Sequence, residues 1–293
     1  MSRQILTVGG GRSGAFSTIG AALSRAEPGA TIMVNPGRYA EKLVVGNRIT
    51  ISAEAGGTVE VHVEEGSVLA VHGEGAQLRG ITLSSADPKL AAVDVYSGEV
   101  ALDDCRITGA AWVALLARLN GSLALRGCEV RASTGAGIVV TSPGASTVED
   151  TVVHEVATSG VVVAEKGSLT LRRCTIRRSG ANSICVNGDA RAVIDQCEII
   201  GAGKPALVVE QRGYARISKL TVRESGNVDM FLRGEIDVVV TDSTFTGAKL
   251  QAVHIAGGAA PKFQRCTFGA AGRTAAHVTG EAKPTFTDCV FED

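Results

Sequence analysis

Aromatic residues are scarce in this 293-residue chain: Phe, Trp and Tyr make up 4%, and Trp112 is the only tryptophan. A core built on large rings is excluded, and so is a nucleic-acid surface of interleaved aromatic and basic residues. Net charge is nearly absent too. Lys and Arg number 29 against 30 Asp and Glu, for a formal charge of -1, so no overall basic field draws in a polyanion. No apolar run of about 18 residues occurs, which excludes a membrane-spanning helix. The start, Met1-Ser2-Arg3-Gln4, lacks the charged end, apolar stretch and small-residue cleavage site of a signal peptide. A cytoplasmic protein without membrane or nucleic-acid partners is expected.

What is abundant is glycine, 36 residues, within a chain that is 45% hydrophobic. Many short aliphatic strands joined by tight turns fit that mixture. A repeat organises them. From Cys174, steps of 23 residues reach Thr151, Cys128 and Cys105 backwards, and Cys197, Leu220, Ser243, Cys266 and Cys289 forwards. A slip to 24 extends the series to Ile81. Three residues before each station from 105 onward runs an apolar column from Leu102 and Leu125 to Phe263 and Phe286; two after runs another, from Ile107 and Val130 to Phe268 and Phe291. A second strand set keeps the same period through Leu115, Ile138, Val161, Ile184, Leu207, Met230, Val253 and Ala276. The unit is too short for a helical repeat. Stacking such units at the strand spacing of about 4.8 Å gives an all-β parallel solenoid with continuous interior ladders.

Six of the seven cysteines occupy one column of this repeat. They read as small, buried, free thiols at an inward corner, because stacked parallel side chains fit the disulfide dihedral poorly. No CxxC pair supports zinc, and no metal or other cofactor is expected.

The segment "AFSTIGAALSRAEPGATIMVNPGRYAEKLVV" (15–45) resembles the opening of pectin-lyase-like right-handed β-helix proteins, with a short helix, a "PGxY" turn and "EKLVV". The "L-x-x-C-x-I" repeat is similar to that family's later coils. The resemblance implies right-handed coils of three parallel sheets of about 23 residues. It places a cap and first coil at 1–48, with a helix over about 17–25 capped by Ser17, and one continuous domain over 49–293. The sequence stops in mid-repeat at "PTFTDCVFED" without a polar cap. That predicts truncation from a longer, multidomain bacterial protein, and the chain resembles the β-helix modules found ahead of AAA-type ATPases.

Such folds host lyases, hydrolases, esterases and pure binding modules, so function must come from the site. The acid cluster of polygalacturonase-like enzymes is missing: Asp103-Asp104 is a lone pair and no GHG follows. Asp103, Arg126, Glu149, Arg172 and Asp195 alternate in sign on consecutive coils, which predicts an ion-pair ladder. Lys219, Asp242, Arg265 and Asp288 repeat the idea. "GNVDMFLRG" (226–234) resembles the pectin methylesterase "GxVDFIFG", which makes Asp229 the one weak catalytic candidate. That family's second aspartate and its arginine and tryptophan partners are missing, and a lone carboxylate has little catalytic power.

One column is expected to face outward although apolar: Val93, Leu116, Val139, Val162, Cys185, Val208, Phe231, His254 and His277. Contiguous exposed apolar surface marks an interface; cover by a loop or a ligand groove are the alternatives. Arg131 and Arg177 flank His154 in another column and could hold an acidic glycan. Trp112 reads as packing, with sugar stacking as the alternative. The reading favoured here is a non-catalytic binding or scaffold module. It meets a protein partner, or a second copy, through Val208, Cys185, Phe231, His254 and His277. The alternative is a carbohydrate-active enzyme (polysaccharide lyase, hydrolase or esterase), or an intracellular small-molecule isomerase or cyclase.

Overall fold

Short β-branched and aliphatic strands, each too small to close a core alone, stack coil upon coil in the computed structural model, which describes residues 4–11 and 13–292. The part of the expected cap at residues 1–3 and 12 lies outside the described residues, as does 293. Every strand pairing is parallel. Three ladders result, represented at the two ends by Ile5–Val8 and Thr285–Thr287, Gly37–Tyr39 and Val290–Phe291, and Leu43–Val45 and Ala276–Val278. We call them the first, second and third sheets. Among the described residues the second has twelve strands; the first and third are fused into one hydrogen-bonded system by the long strands Val93–Asp103 and Val113–Arg126, which run round a corner. This is the expected β-solenoid. Its interior columns are in register: Leu125 sits opposite Leu102 and Val148, and Val130 opposite Ile107 and Val153. The predicted slip at Ile81 is real, since Arg106 lies opposite Thr82. At the C-terminal end the columns turn aromatic, and Phe263–Phe286 and Phe268–Phe291 stack with ring centres 5.0 and 5.1 Å apart.

The helix α1 is shorter than expected, Ile19–Leu23, and Thr18 rather than Ser17 caps it, accepting from Ala21 N–H. Phe16 explains the difference. Its N–H donates to Thr7 O and its C=O accepts from Gly9 N–H, which keeps the chain extended to that point. Glu41 accepts from the N–H groups of Ile19 and Gly20 at 2.8 and 2.7 Å, fastening the helix over the first coil.

The corner between the first and second sheets is turned by one residue in the left-handed region. Gly80, Asp104, Gly127, Asp150, Arg173, Gln196, Lys219, Asp242, Arg265 and Asp288 all have φ between 49° and 67°. The cysteine column follows immediately. Cys128 Sγ donates to Leu102 O at 3.2 Å and Cys174 Sγ to Val148 O at 3.2 Å. Thr151 and Ser243 stand in the same column and donate to Glu149 O and Thr241 O, both at 2.8 Å. The column selects a small, buried donor that satisfies corner carbonyls. All seven cysteines are free. The charge ladder also forms: Arg126 meets Asp103 at 3.0 Å, Arg172 meets Glu149 at 3.5 Å, and Arg265 meets Asp242 at 2.6 Å. Asp195 departs from it and accepts from Ser218 Oγ instead.

Candidate active-site cleft

The third sheet presents its outward face beside a corner whose left-handed residues are Leu119, Glu165, Gly188 and Gln211. A cleft of about 630 Å³ opens there, bordered by Arg118, Leu119, Glu165, Lys166, Gly188 and Asp189. Glu165 and Asp189 come from adjacent coils, joined where Asp189 N–H donates to Glu165 O at 2.7 Å. Their environments differ. Arg212 grips Asp189 with two hydrogen bonds of 2.6 and 2.9 Å. Arg212, helped by Lys166, holds the Asp189 carboxyl below its ordinary range, so it stays ionised. The Glu165 carboxylate has no hydrogen-bond or ion-pair partner among the described residues. One wall is rigid. Arg118 is bound by Asp94 at 2.9 and 3.1 Å and lies 4.2 Å over the Tyr96 ring, which stacks on His72 at 4.1 Å.

Asp94 corrects the expected apolar column. The coil from 93 to 115 is one residue short, so Val93 pairs with Leu115 and faces the core, while Asp94 pairs with Leu116 and faces out. The column is also less open than expected. Leu116 and Val139 are buried with Ala91, Val113 and Ala136 in a small separate cluster. Val208 is buried, and Cys185 and Phe231 are half-buried. Burial pushes the Cys185 thiol up to about 11, which leaves it inert at neutral pH. Only the last coils form an open patch, where Phe231, His254 and His277 meet edge to face at 5.2 and 4.8 Å. His254 also contacts Thr279 Oγ1 at 3.2 Å, and burial together with His277 lowers its pKa.

The remaining candidates lie elsewhere. Asp229 is in the interior, fully buried; its Oδ1 accepts from Ser225 Oγ at 2.7 Å, and its Oδ2 has no partner among the described residues. Desolvation raises its pKa to about 7. No substrate reaches it there. Arg131 and Arg177 stand on the outward face of the second sheet, so the proposed binding residues occupy two different faces. Trp112 is exposed at the corner entering the third sheet. Glu165 and Asp189 escaped the sequence reading because they belong to corners rather than strands. Their signal was available in the alternating column Lys166, Asp189, Arg212 and Glu235. Among the described residues no three His, Cys, Asp or Glu side chains converge as a metal site, and no helix is long and apolar enough to cross a membrane.

The sequence matches the right-handed β-helix region family over residues 58–170 and 159–293, and the chain belongs to that family. No curated protein sequence matches it. Among solved structures it is similar to the catalytic domain of a GH87 α-1,3-glucanase in complex with tetrasaccharides. The TM-score is 0.67 at 9% identity, covering 96% of this chain and 68% of that one. The Agl-KA catalytic domain gives 0.67 at 12%, covering 94% and 61%. The catalytic unit of a GH87 α-1,3-glucanase from Streptomyces thermodiastaticus gives 0.64 at 13%, covering 92% and 64%. This chain therefore spans about two thirds of those chains, and at such identity the likeness establishes the fold. The expectation of a non-catalytic scaffold is corrected by these neighbours: all three are catalytic domains, two of them of α-1,3-glucanases.

Proposed function

We propose that the chain is a carbohydrate-active enzyme domain that cleaves a glycosidic bond in the Glu165–Asp189 cleft. The observation that carries this reading is the pair of carboxylates on adjacent coils with opposed environments, one pinned ionised by Arg212 and one unpartnered. Glycoside cleavage needs such a pair: one group to move a proton at the leaving oxygen, the other to stay charged beside the oxocarbenium-like centre. Glu165 takes the first role and Asp189 the second. Arg118, anchored by Asp94 and by the Tyr96 ring beneath it, orients a sugar ring by offering hydrogen bonds to its hydroxyls. The α-1,3-glucanase neighbours support polysaccharide as the substrate class.

The test follows new reducing ends on α-1,3-glucan and on neutral and uronic-acid polysaccharides. Turnover is expected on at least one, and Glu165→Gln lowers kcat by about a hundredfold or more. Turnover on none, or turnover unchanged in both Glu165→Gln and Asp189→Asn, overturns the proposal.

A further inference from the structure

The outward face of the second sheet holds a serine, a histidine and a glutamate in hydrogen-bonded series on its early coils. The strands Val59–Val63 and Ile81–Ser85 pair in parallel and set His62 directly opposite Ser84. At the strand spacing of about 4.8 Å such side chains meet, and His62 Nδ1 lies 2.8 Å from Ser84 Oγ. Glu64 follows two residues later, on the same face, with Oε1 3.1 Å from His62 Nε2. A carboxylate only accepts, so Nε2 carries the ring hydrogen. Nδ1 of the neutral ring is then a lone pair, and Ser84 donates its hydroxyl hydrogen to it.

These groups are open to a ligand. The His62 side chain is 36% exposed, Glu64 lies on the surface, and Ser84 is half-buried. Their support is fixed. The turn after Glu64 is held where Gly66 N–H donates to Asp87 at 2.6 Å and Gly66 O accepts from Ser85 Oγ at 2.7 Å. Asp87 is itself tied down by the N–H groups of Lys89 and Leu90. On the far side of Ser84, Thr108 stands directly opposite it on the next coil, exposed. On the far side of His62 a cleft of about 460 Å³ opens, with Lys42, Glu64 and Glu65 on its walls.

We propose that Ser84, His62 and Glu64 form a second active site, which hydrolyses short-chain carboxylic esters of a polyhydroxy alcohol. Nucleophile, base and orienting acid each lie within hydrogen-bond reach of the next, the arrangement that acyl transfer needs. Ser84 Oγ attacks the ester carbonyl carbon as its proton passes to His62 Nδ1. The carbonyl oxygen takes the displaced electron pair and accepts from the Thr108 hydroxyl. That pair then re-forms the carbonyl, the C–O bond to the alcohol breaks, and the Nδ1 proton leaves on the alcohol oxygen. Acyl-Ser84 remains. Water repeats the sequence: its proton goes to Nδ1 and then to Ser84 Oγ, and a carboxylic acid is released. Glu64 is a positioning residue that keeps the hydrogen on Nε2. Because His62 delivers the proton, the alcohol leaves over the imidazole towards the cleft, whose lysine and glutamates suit hydroxyl groups. A sugar as that alcohol rests on the carbohydrate reading above; the ester chemistry does not.

The experiment incubates the full chain with p-nitrophenyl acetate and with glucose pentaacetate, and maps the residue labelled by diisopropyl fluorophosphate. Hydrolysis of both esters above the buffer rate is expected, with the diisopropylphosphoryl group on Ser84. Ser84→Ala and His62→Gln each lower kcat/KM about a hundredfold. Thr108→Val lowers kcat about tenfold at unchanged KM. In Glu64→Gln the ring-nitrogen resonances of His62 move from the Nε2–H form towards the Nδ1–H form, and kcat falls with them. Ser84 and His62 face outward, so their replacement leaves the interior ladders intact, and the label is read on the parent chain. Absence of ester hydrolysis, a label on another residue, or an undiminished rate in Ser84→Ala overturns the site. Turnover of p-nitrophenyl acetate without glucose pentaacetate overturns the sugar alcohol alone. An unchanged His62 tautomer in Glu64→Gln overturns the role of Glu64. Neither ester contains a glycosidic bond, so failure here and failure of the Glu165–Asp189 cleft are told apart.

Discussion

Ser225 Oγ donates to Asp229 Oδ1 at 2.7 Å inside the solenoid, where the coils on either side place alanines: Ala202 and Ala206 below, Ala248 and Ala252 above. One coil thus carries a carboxyl group in a corner that its neighbours keep apolar. With an unpartnered Oδ2 and a pKa raised to about 7, Asp229 is protonated in the folded state at pH values where the unfolded chain has already ionised. Between roughly pH 4 and pH 7 the folded state therefore binds more protons, and stability falls as pH rises, flattening above pH 7. The double variant Ser225→Ala/Asp229→Ala restores the neighbours' pattern. Its unfolding free energy in urea is expected to exceed that of the parent at pH 8, by an amount on the order of 4 kcal/mol at most. The advantage should shrink steadily towards pH 4. A difference independent of pH contradicts the assignment.

The left-handed corner column makes a second prediction. Residues other than glycine held there carry about 1–3 kcal/mol of backbone strain. Gln196 has φ 53°, and its side chain reaches only the neighbouring Asp195. Gln196→Gly should be neutral to mildly stabilising, since relief of strain offsets the added freedom of the unfolded chain. Gln196→Val should cost about 2 kcal/mol, because a β-branched residue tolerates that conformation worst. Thermal unfolding of the two variants checks the order, and a valine variant as stable as the parent contradicts it.

These corners also show what the sequence does and does not display. The interior columns are legible because a ladder residue is repeated in kind: leucine, valine, isoleucine and phenylalanine all satisfy one requirement of burial. The corner conformation is nearly illegible, since aspartate, arginine, glutamine and lysine fill it and only Gly80 and Gly127 advertise it. The shift of Val93 inward was hidden for a related reason. One residue fewer in that coil exchanges the faces of Val93–Val95, and the bulge between Val95 and Ser97 restores the register; an apolar valine looks plausible on either face. The cleft was missed because its two carboxylates sit in corners of adjacent coils, and only the pairing of coils brings them together.

The cysteine column gives a third prediction. Cys174 Sγ donates to Val148 O and to Arg172 O, both at 3.2 Å, as the hydroxyls of Thr151 and Ser243 do for their own corners. Cys174→Ser keeps the donor and should stay within about 1 kcal/mol of the parent. Cys174→Ala leaves a void and a buried carbonyl short of a partner, and should cost about 2 kcal/mol. Equal stability of the two variants in urea indicates that volume, rather than hydrogen bonding, governs the column.

Asp94 and Arg118 supply the last prediction. The Asp94 side chain is 3% exposed and stands in a column with Leu116 and Val139, and Arg118 is the partner that offsets its burial. Asp94 also draws the Arg118 pKa up. Removing the arginine alone strands a buried carboxylate. Arg118→Ala should destabilise by about 2–3 kcal/mol, below the full cost of breaking a buried pair because the guanidinium is partly solvated. Replacing both, as Asp94→Leu/Arg118→Ala, extends the apolar column by one coil and should recover most of that loss. The same double variant removes the anchored guanidinium from the cleft wall. If the wall orients substrate, the double variant unfolds like the parent but turns over polysaccharide more slowly, with the loss mainly in kcat/KM. Recovery of stability with unchanged kcat/KM makes the pair purely structural, and failure to recover stability shows that the Asp94 position is not an apolar site in disguise.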